Sequence, residues 1–393
     1  MNWLDSVIEA PVDPIFGLNT RFVEDKRPHK VNLGVGSYKT EDLQSYIMPV
    51  VLKAEQLVLK KYIDKEYLPI GGDPIYGAKA AELALGKDVD KDRLAIIQTV
   101  GGEGALRLGA EFLIRNNICD TIAISDPTWP NHPPTFTSAG LKVVTYPYHD
   151  KETHQLLWEP MLESLKKLPK KSAVLLHACC HNPSGCDLSE SQWIELANIM
   201  LEHELLPFFD CAYQGFGEHE SKDNFSMRYF ANKFPVVLYA YSFSKNFGLY
   251  AERTGAFFLI GKNPETTKKA YSQLLTVARY SYSNPPCHGA RIVKEVLTDE
   301  IMTKEWHDQI KAMRDRIADM RKVFVQKMKA KGVDWSFFQA DKGLFTLTGL
   351  SKNQVEELIQ EHAIFMPANG RINVAGISHK NCDYIVDAFS SLS

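Results

Sequence analysis

Lys245 stands in the stretch Tyr241-Ser242-Phe243-Ser244-Lys245-Asn246-Phe247-Gly248-Leu249, directly after the apolar run Val236 to Ala240 and eight residues before Arg253. A primary amine condenses with a carbonyl, and hydroxyls with a guanidinium hold an anion. This stretch is therefore equipped to bind a phosphorylated carbonyl compound through the lysine nitrogen. Most lysines are solvated surface groups, and position is what singles this one out. It follows a run too apolar for an edge strand, at the kind of strand end where open α/β sheets bind ligands.

Other groups fall at similar places. Gly101-Gly102-Glu103-Gly104 lies between an apolar run and a helical pattern, where backbone amides and a helix N-terminus can receive a phosphate; alone, it is equally a tight structural turn. Asp210 closes the run Leu206 to Phe209 and precedes Ala212-Tyr213-Gln214-Gly215. A carboxylate there needs a cation or hydrogen bonds, which a protonated ring nitrogen, a structural arginine or a helix N-terminus would each supply. In His181-Asn182-Pro183-Ser184-Gly185 the Asn-Pro pair pins a turn, either an ordinary one or one that aims the Asn182 amide into a cleft. Trp129, within Asp126-Pro127-Thr128-Trp129-Pro130-Asn131-His132, offers a flat face to a heteroaromatic ring or fills a core.

The elements that must carry these groups are visible as short apolar runs separated by helical patterns. Ala95–Ile97, Thr121–Ile124, Lys142–Val144, Ala173–Leu176, Leu206–Phe209, Val236–Ala240 and Ala256–Ile260 predict an α/β fold, a mostly parallel sheet with helices on both faces. Beyond Asn284-Pro285-Pro286, apolar residues at Met302, Trp306, Ile310, Met313, Ile317, Met320, Phe324 and Met328 recur three to four apart. They predict a long helix able to bridge two domains. Trp335 to Leu350 reads as strands, Asn353 to His362 as a helix and Arg371 to Val374 as a strand, a smaller α+β domain. The N-terminal segment with Pro11, Pro14 and Gly17 has no complete core and is expected to pack on that small domain or on a partner subunit. The division is 46–310 for the large domain, with 1–45 and 311–393 for the small domain and its N-terminal arm.

Composition narrows the class. The chain has 393 residues, 45% hydrophobic and 24% charged, which suits a soluble globular protein with a sizeable core. Its 45 basic and 48 acidic residues give a net charge of -3, without long like-charge blocks, so no nucleic-acid surface is expected. Met1-Asn2-Trp3-Leu4-Asp5 has no basic start leading into an apolar stretch, no run approaches a membrane span, and the chain reads as cytoplasmic. Seven cysteines form no paired Cys-x-x-Cys clusters and read as free thiols. No metal is expected at Cys179-Cys180-His181, because adjacent side chains at a strand end point to opposite faces.

Together, Ser242-Phe243-Ser244-Lys245-Asn246-Phe247-Gly248-Leu249-Tyr250 with Arg253, Asp210-Cys211-Ala212-Tyr213-Gln214-Gly215-Phe216 and His181-Asn182-Pro183-Ser184-Gly185 resemble the aspartate aminotransferases, pyridoxal-phosphate enzymes of fold type I. The resemblance runs from about Pro11 to the C-terminus in the same motif order. It implies pyridoxal 5'-phosphate as cofactor, with Lys245 as its covalent anchor and as the base at the substrate α-carbon. It further implies Asp210 at the ring nitrogen supported by His132, Tyr213 and Asn182 at the ring oxygen, and Trp129 stacked on the ring. Gly102, Ser242, Ser244 and Arg253 would hold the phosphate, with Tyr67 reaching it from the neighbouring subunit of a homodimer. Gly36, Trp129, Asn182, Arg371 and the partner-donated Arg279 would bind substrate, Arg371 at the α-carboxylate and Arg279 at the distal one. Two arginine clamps imply dicarboxylic amino and 2-oxo acids, aspartate with 2-oxoglutarate, in a ping-pong reaction. An aromatic-amino-acid aminotransferase of dual specificity is the alternative, and a pyridoxal-phosphate decarboxylase or lyase a more distant one. Glu103 departs from the resemblance, standing where a threonine is expected. It should either turn away from a phosphate or share a proton or an arginine there.

Overall fold

The computed structural model describes residues 3–10 and 14–392, so Pro11 lies outside the described residues. Seven strands form the central sheet: β1 (Leu94–Val100), β2 (Thr121–Asp126), β3 (Lys142–Pro147), β4 (Ala173–His177), β5 (Leu206–Cys211), β6 (Val237–Ser242) and β7 (Thr254–Ile260). Their order is β1-β7-β6-β5-β4-β2-β3. Strand β7 runs antiparallel to both neighbours and the remaining pairings are parallel. All seven apolar runs thus pair in one sheet. Residues of β6 and β7 are buried throughout, as a sheet covered on both faces demands.

Helices seal those faces. Helix α1 (Gly101–Arg115) follows β1 directly and buries Leu106, Leu108, Phe112 and Leu113 against the sheet. Helix α2 (His132–Ala139) packs beside it, burying His132, Thr135 and Phe136. Helix α3 (Glu300–Ala330) begins at Asp299, whose carboxylate accepts from the Met302 amide at 2.9 Å, and extends 31 residues, about 46 Å. All eight apolar positions of its expected stripe are buried.

That helix ties distant parts together. Near its start, Trp306 Nε1 donates to the Asn246 carbonyl at 2.8 Å, bracing the turn that carries Lys245. Arg314 donates to the Gly215 carbonyl at 2.8 Å. Further along, Arg321 donates to the Phe338, Gly343 and Phe345 carbonyls. The C-terminal part pairs Phe345–Leu347 antiparallel with Arg371–Asn373, setting Leu347 opposite Arg371. Val31–Asn32 pairs in parallel with Ile364–Phe365, and Arg21 forms an ion pair with Glu356, so the N-terminal segment docks on C-terminal elements.

One local expectation fails. Between Trp335 and Leu350 only Phe345–Leu347 is a strand, and Ser336–Ala340 is a short helix. Asp334 accepts from the Ser336 amide at 2.9 Å and Trp335 accepts from the Phe338 amide at 3.0 Å. This local turn chemistry outweighs the aromatic strand propensity of Trp335, Phe337 and Phe338.

Candidate active site

The C-terminal ends of β1, β4, β5 and β6 share one edge of the sheet. Register decides which side chains meet there: His177 lies opposite Asp210, Cys211 opposite Tyr241, and Ser242 opposite Gly255. The cavity at this edge is lined by Gly36, Gly102, Trp129, Asn182, Asp210, Tyr213, Ser242, Ser244, Lys245 and Arg253 from the expected set, together with Glu103.

Lys245 is buried, its ammonium nitrogen 5.1 Å from the centre of the Tyr213 ring. Burial pushes its pKa down to about 8; Asp210 pulls the other way, and Arg253 and Arg371 add to the depression. An amine near neutrality can both take and return a proton. At Asp210, burial favours the neutral acid, but the hydrogen bond and charge of His132, helped by Lys245, outweigh it, and the carboxyl lies below its ordinary range. His132 Nε2 is 3.0 Å from Asp210 Oδ2 and its Nδ1 is 2.7 Å from Thr128 Oγ1, so the ring is held from both sides. A buried carboxylate that stays ionised suits a protonated ring nitrogen placed against it.

The opposite end of the cavity is an anion cradle. Gly101 has a φ of +69°, and a side chain there would put Cβ 2.6 Å from Arg253 Nη2; one on Gly102 would put Cβ 2.9 Å from that of Ser242. Absent side chains therefore let the start of α1 approach the guanidinium and hydroxyls closely. Ser242 Oγ donates to Ser244 Oγ at 3.0 Å, and Arg253 is braced by the Tyr250 carbonyl at 2.8 Å. Glu103 turns towards α2, with Oε1 hydrogen-bonded to Thr135 Oγ1 and Oε2 buried without a partner. Burial raises its pKa, Thr135 lowers it and Asp210 raises it again, and the net direction is up.

The residues present fit a phosphorylated, protonated heteroaromatic aldehyde. Two buried atoms have no partner within the chain where such a group and its substrate would offer one: Asn182 Oδ1 and Arg371 Nε. Arg371 is buried, with Nη2 donating to the Gly34 carbonyl at 2.9 Å and its guanidinium 4.3 Å from the centre of the Phe345 ring. It does not line the cavity wall, but its charge reaches Lys245. Tyr67 and Arg279 are not brought there. Tyr67 is 86% exposed, and Arg279 lies exposed on Pro264–Ser281, donating to Ser283 Oγ at 2.6 Å.

Sequence reasoning missed several lining residues, notably His177, Cys179 and Tyr250. His177 had a usable signal, since it ends its apolar run much as Asp210 does and lies opposite Asp210; burial pushes its pKa down to about 3, making it a neutral neighbour of the His132–Asp210 pair. Tyr250 had none, because its hydroxyl meets the Tyr38 amide, 212 positions away, at 2.9 Å.

The adjacent cysteines do not point apart. Cys179 and Cys180 lie beyond the end of β4 at His177, where strand alternation does not apply, and ligand atoms of Cys179, Cys180 and Asp223 lie within 4.8 Å of one another. The Asp223 carboxylate is nevertheless engaged by the Gly215, Gly217 and Glu218 amides at 2.8–2.9 Å.

Residues 28–389 match the family model described as aminotransferase class I and II. The chain is 41% identical over 391 residues to an aspartate aminotransferase of Escherichia coli K12, covering 97% of this chain and 99% of that protein. It superposes with a TM-score of 0.96 on an aromatic-amino-acid aminotransferase from Burkholderia pseudomallei, solved covalently bound to pyridoxal phosphate, at 41% identity over all of both chains. It superposes equally, at 0.96, on the aspartate aminotransferase of Saccharomyces cerevisiae cytoplasm, at 33% identity over 99% of this chain and 98% of that one.

Proposed function

The chain belongs to the class I and II aminotransferases, and from that premise we propose that it moves the amino group of L-aspartate to 2-oxoglutarate, yielding oxaloacetate and L-glutamate. Pyridoxal phosphate, when bound, supplies an electron-withdrawing ring that accepts the electron pair left as the α-proton departs. Gly102, Ser242, Ser244 and Arg253 would hold its phosphate, Asp210 its ring nitrogen, and Tyr213 and Asn182 its ring oxygen, with Trp129 stacked on the ring.

The observation that carries this reading is Lys245, a buried lysine with a pKa of about 8 between an ionised carboxylate and two arginines. About a tenth of such lysines are neutral at pH 7, against fewer than one in a thousand for an ordinary lysine. The neutral amine would take the α-proton of the amino acid and, as an ammonium, give it back on the far side of the substrate nitrogen. Asp210 keeps its negative charge throughout, favouring the protonated ring nitrogen that withdraws electrons best. Arg371, fixed by Gly34 and Phe345 and with Nε unpaired, offers its planar fork to the α-carboxylate. One site serving both half-reactions works by ping-pong turnover.

A homodimer with shared sites belongs to the same reading. Tyr67 and Arg279 are exposed and do not line the cavity at the sheet edge, which supports their donation to a partner's site. Exposed Leu52, Leu57, Leu59 and Ile63, along and just beyond Pro49–Lys61, suit an interface better than solvent. We retain the division into 46–310 and 1–45 with 311–393, supported by the docking of Val31–Asn32 on Ile364–Phe365. We also retain a cytoplasmic location, supported by seven unpaired cysteines; no helix among the described residues is long and apolar enough to cross a membrane.

Dual acidic and aromatic specificity is the second reading, favoured by the likeness to the Burkholderia enzyme. Comparing kcat/KM for aspartate, tyrosine and phenylalanine with 2-oxoglutarate as acceptor separates the two. Aspartate ahead by about 100-fold or more, the worth of one well-placed charge pair, supports the first reading; parity supports the second, and no turnover of any of the three rejects both.

A further inference from the structure

Glu103 is one of the titratable side chains lining the cavity that the reaction above does not use. Glu103 lies in the first turn of α1 and shares the cavity wall with Gly102, Ser242, Ser244 and Arg253. Its Oε2 is buried without a partner and its Oε1 meets Thr135 Oγ1. Thr135 is the informative neighbour. Its hydroxyl has one proton, yet it also stands 2.6 Å from the Asn131 carbonyl oxygen, which can only accept. The Asn131 carbonyl is also satisfied by the Thr135 amide at 3.0 Å, so the hydroxyl proton is free for Oε1 and Oε2 is the carboxyl oxygen left without a donor.

The charges around Glu103 come from four elements. Asp210 on β5 disfavours its ionisation, while His132 on α2 and Arg253 just before β7 favour it. On its own helix, Arg107 is engaged with Glu111 at 2.8 Å and with Ser138 Oγ. A phosphate dianion in the cradle adds like charge beside the carboxyl and tips the balance towards the neutral acid.

We propose that Glu103 works as a neutral carboxylic acid whose Oε2 presents a proton to the phosphate of the bound cofactor, so that phosphate and one proton bind together. The inference rests on the pyridoxal-phosphate reading of the site. In the bound arrangement Thr135 donates to Oε1, the Asn131 carbonyl keeps the Thr135 amide at 3.0 Å, and Oε2 gains its missing partner. The proton comes from solvent and no other bond changes. Because binding raises the proton affinity of Glu103, anion affinity is highest at low pH. It falls, by up to about tenfold per pH unit, as pH rises from the pKa of the free site to that of the bound one.

Sulfate tests this cleanly, since it does not titrate near neutral pH. Calorimetry of sulfate binding to the cofactor-free protein, at several pH values in buffers of different ionisation enthalpy, counts protons taken up; wild type, E103Q and E103T are compared. Lys245 contributes equally to all three. Between the pKa of the free site and that of the bound one the wild type should take up close to one proton more per site than either variant, and both variants should bind sulfate more tightly than wild type there. Equal proton counts and equal affinities across the range would overturn the proposal. Should neither variant fold, infrared spectra of 13C-glutamate-labelled wild type decide it: a protonated carboxyl band that appears on sulfate binding supports the proposal, and an unchanged spectrum rejects it. The same protein is then mixed with pyridoxal phosphate. A visible band with equal proton counts rejects the role of Glu103 alone, whereas failure to form the band rejects the cofactor reading and this inference with it.

Discussion

Asp210 and Glu103 line one cavity, bear the same functional group and are driven in opposite directions, Asp210 below the ordinary carboxylate range and Glu103 above it. Both are penalised by burial. What separates them is the partner: Asp210 meets an imidazole that is itself held by Thr128, whereas Glu103 meets only a threonine hydroxyl. A buried carboxyl thus takes its charge state from the donor its neighbour can supply. The cavity consequently has an anionic end suited to a protonated ring nitrogen and a cationic end at Arg253 suited to a phosphate, with Lys245 between them.

The comparison can be broken in order of expected effect. Lys245→Ala removes the proton carrier that both ends serve, and transamination of aspartate should fall by about 10,000-fold or more, measured by single-turnover absorbance. A loss of tenfold or less would leave the lysine as a mere cofactor tether. Asp210→Ala removes the anionic end and should lower kcat by about 1,000-fold, with bound cofactor retained by the cradle; loss of cofactor with kcat intact would contradict the division of labour.

Two further changes sharpen it. Tyr67 and Arg279 belong to neither end within one chain, so subunits carrying Lys245→Ala and Arg279→Leu are each expected to be inactive as homodimers. Mixed in equal amounts they should recover about a quarter of wild-type sites, because half of the dimers are hybrids with one intact site. No recovery would mean that Arg279 acts within its own subunit. His132→Leu is the mildest, about 10- to 100-fold on kcat/KM, the worth of one hydrogen bond to a charged group. Without that donor the Asp210 pKa rises. Its negative charge is present above that pKa and lost below it, so the acid limb of the kcat/KM profile should move to higher pH. An unmoved acid limb would show that His132 does not set the charge of Asp210.

The anionic end was more legible in the sequence than the cationic one, for physical reasons. Asp210 and Lys245 each follow a short apolar run, and parallel sheets align strand ends at one edge, so their convergence follows from pattern alone. The long helix was readable because its stripe repeats over 31 residues. Glu103 was visible as a misfit, but its partner Thr135 comes from a different helix, a contact that no local pattern encodes. Trp335–Leu350 was misread because strand propensity competes with a turn nucleated by Asp334. Strand alternation does not orient Cys179 and Cys180, because β4 ends at His177 before either of them.

The central claim is that Lys245, among all the lysines of the chain, is the amine the cavity has prepared. Borohydride reduction of the protein loaded with pyridoxal phosphate, followed by peptide mapping, tests it directly. A single stoichiometric label on Lys245 is expected, acquired by cofactor-free protein at a rate that climbs with pH, is half-maximal near pH 8 and levels off above it. A label on any other lysine, or none, would contradict it.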